Sequence, residues 1–284
     1  MAFRLPRELW LRCGLGAVLP AVLVLAWGYG ARSGSSVVPG FQEVWSVLSH
    51  PFDVPRDLLS GSLAESTGLT VLRLGLGFLL ALVTAVPLGV WAGRDRRVAY
   101  LLQPAVEAAR PINPIVMLPL LTVFLGLSSL GTLVHGVADA WRYPLLDQLQ
   151  TTVVLILWAG AFFPIYTSTV HGVRGVRTAH LEMLDLIGAT RWHRIRWVVW
   201  PHCLPSVVNG MRIGLGVSWL VVVAAEAFPG THSGLGHMLC TACNTAEYEY
   251  TFAAAIVIGV LGVFSSEGLR RLEVRVSRWQ AAER

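Results

Sequence analysis

The sequence predicts an all-α membrane protein with six transmembrane helices, on the basis of its composition, its long apolar runs and the positions of its arginines. Of the 284 residues, 54% are hydrophobic and 14% are charged, and the mean hydropathy is +0.60. Soluble domains average about 25% charged residues. Several apolar runs reach roughly 18 residues or more, which is enough for a helix to cross a bilayer.

The predicted spans alternate with polar segments. They cover residues 13–30, 69–91, 99–127, 152–170, 207–228 and 252–266. Sixteen of the 22 arginines then fall on one side: three before the first span, three after the second, five in residues 174–205 and five in the tail. Cytoplasmic loops carry the excess of basic residues. Both termini and residues 174–205 are therefore predicted to be cytoplasmic, and residues 31–66 form a predicted outer loop.

The third predicted span contains Pro104, Pro111, Pro114 and Pro119. Proline removes a backbone donor and kinks a helix, and a membrane tolerates this where protein or a water-lined cavity satisfies the freed groups. We therefore expect this span to be interior rather than lipid-facing.

Residues 128–149 follow, and their apolar residues recur with a helical period. The positions are Leu130, Leu133, Val134, Val137 and Trp141. This pattern predicts an amphipathic helix, which we expect on the outer surface near the interface.

Residues 174–205 are arginine-rich but partly apolar, which is typical of a docking surface. Glu182 is placed to begin a short helix, where its charge suits the helix dipole. Met183, Leu184 and Ile187 form a predicted apolar ridge that fits the groove of a partner. Gly188 can adopt a positive φ and so permits a sharp turn between two short helices. The alternative is a helix lying on the inner leaflet.

Ionisable groups within spans are costly and are therefore candidate functional residues. Arg110 with Asn113 is the candidate pathway site for an anionic solute, and Glu226 is a further candidate. The alternative is pairing between helices, for instance of Arg73 or Arg110 with Glu107 or Glu226.

Four glycines of the spans are expected to permit close contacts between helices. They are Gly75, Gly77, Gly214 and Gly216.

Several classes of site are not indicated. The chain contains no lysine, so it has no G-x-x-x-x-G-K-[ST] loop for ATP. Its histidines lack metal-ligand spacing, and no metal site is predicted. Cys240 and Cys243 form one isolated C-x-x-C, which leaves open a disulfide or metal site there as well as incidental cysteines. The topology explains the basic residues better than nucleic-acid binding does.

Residues 182–205 resemble the EAA loop of ABC-transporter permeases. Glu182 and Gly188 stand where that pattern has them, whereas Met183 and Leu184 replace its two alanines. Other stretches across residues 60–280 are similar to importers of the nitrate, sulfonate and taurine type. These stretches are residues 110–120, 160–165, 223–226, 233–236 and 257–262. By the same comparison, residues 128–149 resemble an insertion on the outer side.

The resemblance implies a type I ABC importer-like permease subunit in a bacterial plasma membrane. Residues 61–280 would be its transmembrane core, and residues 1–60 the first helix with an outer loop. The expected partners are a second permease copy, two ATPases and an external binding protein. The subunit itself would need no cofactor and would catalyse nothing, because its partner binds ATP.

The resemblance assigns contact with the ATPase to one short stretch. Its residues are Glu182, Met183, Leu184, Ile187, Gly188 and Ala189. The cargo implied is a small anion such as nitrate, a sulfonate, taurine or a bicarbonate-like solute.

Two other classes compete with this assignment. A secondary transporter driven by an ion gradient is expected to show inverted repeats or paired interrupted helices, and neither is evident. A membrane-embedded hydrolase would need a motif such as G-x-S-x-G or H-E-x-x-H, which the chain does not contain.

Overall fold

The computed structural model describes residues 24–32, 37–53, 61–125, 128–129, 131–132, 144–177, 182–184, 186–228 and 231–277, together with positions 18 and 22. Within these ranges the regular secondary structure is helical, apart from one isolated antiparallel bridge between Ser129 and Gln150. This agrees with the predicted all-α class.

Eight helices organise the described chain. They are α1 (Phe41–Ser49), α2 (Leu63–Arg94), α3 (Arg96–Ala109), α4 (Pro114–Leu125), α5 (Thr151–Arg174), α6 (Trp200–Ala227), α7 (Leu235–Asn244) and α8 (Tyr248–Ser277). A helical turn at Arg191–Arg194 and a π-helical turn at Ile195–Val199 run directly into α6.

Helix α5 lies between α2 and α6, and glycines set the distance between them. A Cβ on Gly77 of α2 would lie 2.5 Å from the Cβ of Leu157, and one on Gly210 of α6 would lie 2.7 Å from the Cβ of Ser168. Membrane helices approach closely where such small residues face a neighbour. Of the four glycines predicted to do this, Gly77 and Gly214 meet α5, whereas Gly75 and Gly216 face open space.

Four of these helices are long and apolar enough to cross a membrane: α2, α5, the helix from Trp192 to Ala227, and α8. Helices α3 and α4 qualify together, with a bend of 97° between them. Helices α2 and α5 run parallel, because Gly77 meets Leu157 and Gly93 meets Val173. The chain must therefore return from the end of α2 to the opposite end of the bundle before α5 begins. The bent pair α3–α4 covers that distance. Counted with the bent pair as one span, the described residues contain candidates for five of the six predicted spans. The first predicted span, residues 13–30, lies largely outside the described residues. Residues 24–32 are described, and they are helical.

We use the term arginine-rich end for the end of the bundle where α2 and α5 finish and α6 begins. Arg94, Arg96, Arg174 and Arg194 lie there. Glu226 and the start of α8 lie at the opposite end.

The third predicted span is broken rather than kinked. Helix α3 ends at Ala109 and α4 begins at Pro114, with Pro111 in the gap. The expectation that this span is interior is wrong for a single chain, because Leu118 is the one buried residue that α4 contributes. Most of its large apolar side chains are exposed, since α4 packs on α5 along one side.

The segment 128–149 is described only at its two ends. The Thr151 N–H donates to the Ser128 carbonyl at 3.1 Å, and the Ser129 hydroxyl donates to Asp147 Oδ1 at 2.8 Å. The chain therefore leaves and returns at one place, beside the start of α5. The predicted amphipathic helix falls on residues outside the described ranges, apart from Thr132 and its neighbour Gly131.

The cytoplasmic loop predicted over residues 174–205 is shorter than expected. Helix begins again at Arg191 and continues through the π-helical turn into α6. The Trp200 N–H bonds to the Ile195 carbonyl, so the helix widens just ahead of Pro201. The helix thus begins ahead of residue 207, the predicted start of the fifth span, because prolines near a helix start do not stop it.

Candidate functional site

The segment joining α5 to α6 turns at Gly188. Residues 182–184 are helical, Gly188 has φ +67°, and the Ala189 N–H donates to the Leu184 carbonyl at 2.9 Å. This is the hydrogen bond of a Schellman helix end with glycine in the left-handed conformation. Nothing lies within 4 Å of a Cβ added to Gly188, so the backbone angle is what requires glycine.

A helix cap follows the turn immediately. The His193 N–H donates to Thr190 Oγ1 at 3.4 Å, and the Arg194 N–H donates to the Thr190 carbonyl at 3.1 Å. A threonine in this position satisfies the open N–H groups at a helix start. Only two residues separate the glycine turn from the new helix, so the direction of the segment relative to α6 is fixed locally.

Exposure defines an apolar ridge on this segment, consisting of Met183, Leu186 and Ile187. Their side chains are 65%, 88% and 76% exposed. They have i, i+3 and i+4 spacing and so share one helical face. Leu184, which the sequence placed on the ridge, is half-buried, as is Ala189, and Glu182 is exposed at the start of the short helix.

Arg110 and Asn113 lie together at the break between α3 and α4. Asn113 caps α4, because its Oδ1 accepts from the Ile115 N–H at 3.0 Å and Pro114 follows as the first helical residue. Arg110 ends α3 and is exposed. Among the described residues its guanidinium has no ion-pair partner.

Arg110 lines two cavities, of about 270 and 230 Å³. The first also contacts Phe163, Pro164 and Ser168 of α5. The second contacts Tyr166 and extends to Arg174.

A third cavity, of about 580 Å³, continues from Arg174 to Arg96 and shares Gln103 with the second. The three together form a groove between α3 and α5 that passes Arg110, Arg174 and Arg96. We call it the arginine groove.

Glu226 does not line this groove and is fully buried at the opposite end of the bundle. Its Oε1 accepts from Arg73 Nη1 at 2.8 Å, and the Thr70 hydroxyl bonds to both carboxylate oxygens at 3.0 and 2.8 Å. Arg73 also donates to the carbonyls of Ser233 and Gln148, both at 2.7 Å. Glu226 thus pairs with Arg73 between two helices. This is the interhelical pairing that the sequence analysis gave as the alternative to a pathway role.

The loop before α7 closes over this pair. The Gly236 N–H donates to Glu226 Oε2 at 3.0 Å, and the Leu235 N–H donates to Thr70 Oγ1 at 2.9 Å. Gly234 has φ +110°, and a Cβ there would collide with the Glu226 carboxylate. The stretch 233–236, noticed in the sequence only as a family motif, therefore encloses a buried charge.

His237 lies on α7 beside this network. Burial, reinforced by the positive charges of His232 and Arg73, lowers the pKa of His237. Neutral imidazole is therefore favoured there.

Sequence reasoning missed several residues of these sites. Thr70 and Ser233 gave no signal, because single hydroxyls within apolar or loop segments are common. Arg174 was used only to assign the side of the membrane, although it joins two cavities of the arginine groove. Within the described residues, no group of three or more His, Cys, Asp or Glu side chains is arranged to hold a metal.

The chain matches one family model, described as the inner membrane component of binding-protein-dependent transport systems, over residues 85–278. It is 33% identical to a protein of Methanocaldococcus jannaschii assigned as an ABC transporter permease, over 92% of this chain and 90% of that one. It is 27% identical to the taurine transport system permease protein of Escherichia coli K12, over 79% of this chain and 74% of that one.

A solved structure with a similar fold is that of the MetNI methionine ABC transporter in an inward-facing conformation. The TM-score is 0.52 and the sequence identity 19%, and the match covers 76% of this chain and 94% of that one.

Proposed function

The chain belongs to the family of inner membrane components of binding-protein-dependent transport systems, and on that premise we propose that it is the permease subunit of an ATP-driven importer. It would act as a homodimer with two cytoplasmic ATPases and an external binding protein. ATP binding in the ATPases would open the pathway outward, and hydrolysis would reset it. The subunit links nucleotide state to conformation and makes or breaks no covalent bond.

The apolar ridge carries this proposal. Large side chains that are 65–88% exposed on a polar, arginine-rich segment match the helix-in-groove mode of recognition. The glycine turn and the threonine cap join the ridge rigidly to α6. A push on the ridge would therefore move α6, which packs along α5.

The arginines support a cytoplasmic location for the ridge. Arg94, Arg96, Arg97 and Arg174 lie at the same end of the bundle as the ridge, and Arg270 and Arg271 lie in the last third of α8. By the positive-inside rule this end faces the cytoplasm. The location fits a multi-pass protein of the inner membrane with its C-terminus inside and the Arg73–Glu226 pair near the outer surface.

The arginine groove supports a small anion as the cargo. Arg110, Arg174 and Arg96 offer successive positive charges. The carboxylate of Glu107 also lines the groove and accepts from Gln103 Nε2 at 2.7 Å, so the arginines outnumber it. Arginine suits sulfonate-like or carboxylate-like groups, because its planar fork bonds two oxygens at once. We assign Arg110 to the pathway. Asn113 and Glu226 already have structural partners, so we give them positioning roles.

An ion-gradient-driven transporter is the less favoured alternative, because the ridge would then have no partner. Uptake in energised vesicles separates the two: an ATP-driven importer loses uptake when ATP is removed, whereas a secondary transporter loses it when ionophores collapse the gradient.

The ridge can be tested by co-purification of the cognate ATPase with the tagged permease. Ile187→Asp places a charge at the centre of the ridge, and Gly188→Val forces a branched residue into a left-handed conformation. Each should lower the recovered ATPase about tenfold or more, the effect of losing one interface hot spot.

Val274→Asp is the matched control. Val274 is an apolar residue, 50% exposed, in the last turns of α8, and the substitution should leave ATPase recovery unchanged. Full recovery with both ridge variants would contradict the proposal.

A further inference from the structure

A second groove opens on the outside of the bundle at its arginine-rich end. It has a volume of about 780 Å³ and lies between α2 and the beginning of α6. Val86, Val90, Ile195 and Trp200 form its apolar wall, and Arg94 and Arg96 form its rim. We call it the α2–α6 groove.

The wall and the rim lie at different depths. Val86 and Val90 precede Arg94 by eight and four residues, which at the helical rise places them about 12 and 6 Å further into the span. They belong to a helix long and apolar enough to cross a membrane. A soluble protein or a free anion could reach the rim, but only a lipid or another membrane segment could occupy the wall.

Exposed aromatic residues lie at the level of the rim. Trp91, Tyr100, Trp192 and Trp197 are between 59% and 76% exposed near the arginine-rich end. Tryptophan and tyrosine favour the boundary between lipid and water. The rim of the α2–α6 groove therefore lies at the level of the lipid headgroups.

We propose that the α2–α6 groove binds an anionic phospholipid, with its phosphate between Arg94 and Arg96 and one acyl chain along Val86, Val90 and Trp200. Basic pockets between membrane helices recognise anionic headgroups through charge. Asp95 also lines the groove, but its Oδ1 accepts from the Arg97 N–H at 2.8 Å and caps α3. Two arginines and one carboxylate line the groove, so the charge of the rim is positive by one unit.

The charge of the rim argues against a second copy of the chain in this groove. A two-fold axis brings the same patch of both copies together, so Arg94 and Arg96 would face their own equivalents. An anionic headgroup neutralises that charge instead.

The bound lipid has a structural consequence. It bridges the turn between α2 and α3 and the π-helical turn Ile195–Val199, which leads into α6. π-Helical turns within longer helices are frequent at functional sites. The lipid site shares Arg94 and Arg96 with the arginine groove, but it contains no residue of the apolar ridge and is therefore separate from the ATPase contact.

Native mass spectrometry of the purified full-length protein tests the proposal, with phosphatidylglycerol and phosphatidylcholine as probes. We expect one preferred phosphatidylglycerol per chain. The double variant Arg94→Gln/Arg96→Gln should weaken its binding about 25-fold, since each arginine near an anionic surface contributes about fivefold. Arg97→Gln is the matched control, because Arg97 is exposed next to the rim but does not line the groove.

A second variant removes the wall and leaves the charges in place. Val90→Phe fills the apolar part of the groove and should also release phosphatidylglycerol. Retention of the lipid by both variants overturns the proposal. Binding of phosphatidylcholine as strong as that of phosphatidylglycerol also overturns it. So does displacement of the bound phosphatidylglycerol by glycerol 1-phosphate as effectively as by intact phosphatidylglycerol. Lipid binding that requires dissociation of a dimer would assign the groove to a second copy.

Discussion

Arg73 and Glu226 form a buried ion pair at 2.8 Å, with side chains 1% and 0% exposed. Arg73 Nε is buried without a hydrogen-bond partner among the described residues, but the remaining polar atoms bond to Thr70 on α2, to the Ser233 and Gln148 carbonyls and to the Gly236 N–H. Removing water from two charges costs more than their attraction returns unless such additional bonds are present. The pair therefore connects α2, α6 and the loop before α7 as one unit.

This arrangement predicts a strong dependence on both partners. Glu226→Gln leaves Arg73 charged and uncompensated, so it should lower the free energy of unfolding by about 3–5 kcal/mol, the range for breaking a buried pair. Arg73→Gln should cost a similar amount, and the double variant should cost less than the two single changes added together. The measurement is thermal unfolding of the purified protein in detergent.

The half-buried ion pair of Arg212 with Glu273, at 3.2 Å with side chains 40% and 26% exposed, supplies the control. Arg212→Gln should change stability by less than about 1 kcal/mol. Equal losses from Arg212→Gln and Arg73→Gln, or strict additivity in the double variant, would disprove the coupling.

At the scale of elements, the sequence predicted that the chain is helical, where most spans lie and where the connecting segment turns. Gly188 could be recognised because a glycine between two short apolar stretches has few other uses. The break of α3 and α4 was only partly foreseen, because prolines indicate a disturbed helix but do not give its angle. The pairing of Glu226 with Arg73 was one of several alternatives, and the sequence could not select it, since the two residues lie 153 positions apart.

Gly75 and Gly77 show the same limit within one helix. Both stand in the apolar run of α2, but a Cβ at Gly77 would lie 2.5 Å from Leu157 whereas one at Gly75 meets nothing within 4 Å. Which glycine faces a neighbour is decided by the packing of α5, and the sequence of α2 alone does not contain that information.

The two glycines therefore predict opposite effects on stability. Gly77→Ala should destabilise the protein by about 1–3 kcal/mol, because α2 and α5 must move apart. Gly75→Ala should be neutral or stabilise it by up to about 1 kcal/mol through helix propensity. Thermal unfolding in one detergent compares the pair directly, and a loss with Gly75→Ala as large as that with Gly77→Ala would contradict the packing.

At the scale of the whole molecule, α4 is incomplete as a membrane element of a single chain. Val116, Leu120, Val123 and Phe124 are 60–83% exposed, and the non-helical residues between α3 and α4 are exposed beside them. Irregular backbone at membrane depth is not tolerated against lipid and needs protein or a water-filled cavity around it. A second copy across a two-fold axis would cover the exposed side chains of α4 with protein. It would also enclose a water-filled pathway beside the break, between the two copies.

Helix α8 provides the contrast. Val263 and Phe264 are 69% and 73% exposed, but α8 is an uninterrupted helix whose backbone bonds are satisfied internally. Such a surface can face lipid without a partner. Exposure alone thus does not identify the interface, whereas exposure beside a helix break does.

Cysteine cross-linking distinguishes these two surfaces. In a chain whose four native cysteines are replaced by serine, Phe124→Cys should form a disulfide-linked dimer under mild oxidation in the membrane. A disulfide requires the two Cα atoms to come within about 7 Å, so only residues near the two-fold axis can cross-link. Phe264→Cys should stay monomeric on denaturing gels. The contrary result is a dimer formed by Phe264→Cys, with none from Phe124→Cys or its neighbour Val123→Cys. It would place α8 at the interface and contradict the prediction that a second copy packs against α4 and the helix break.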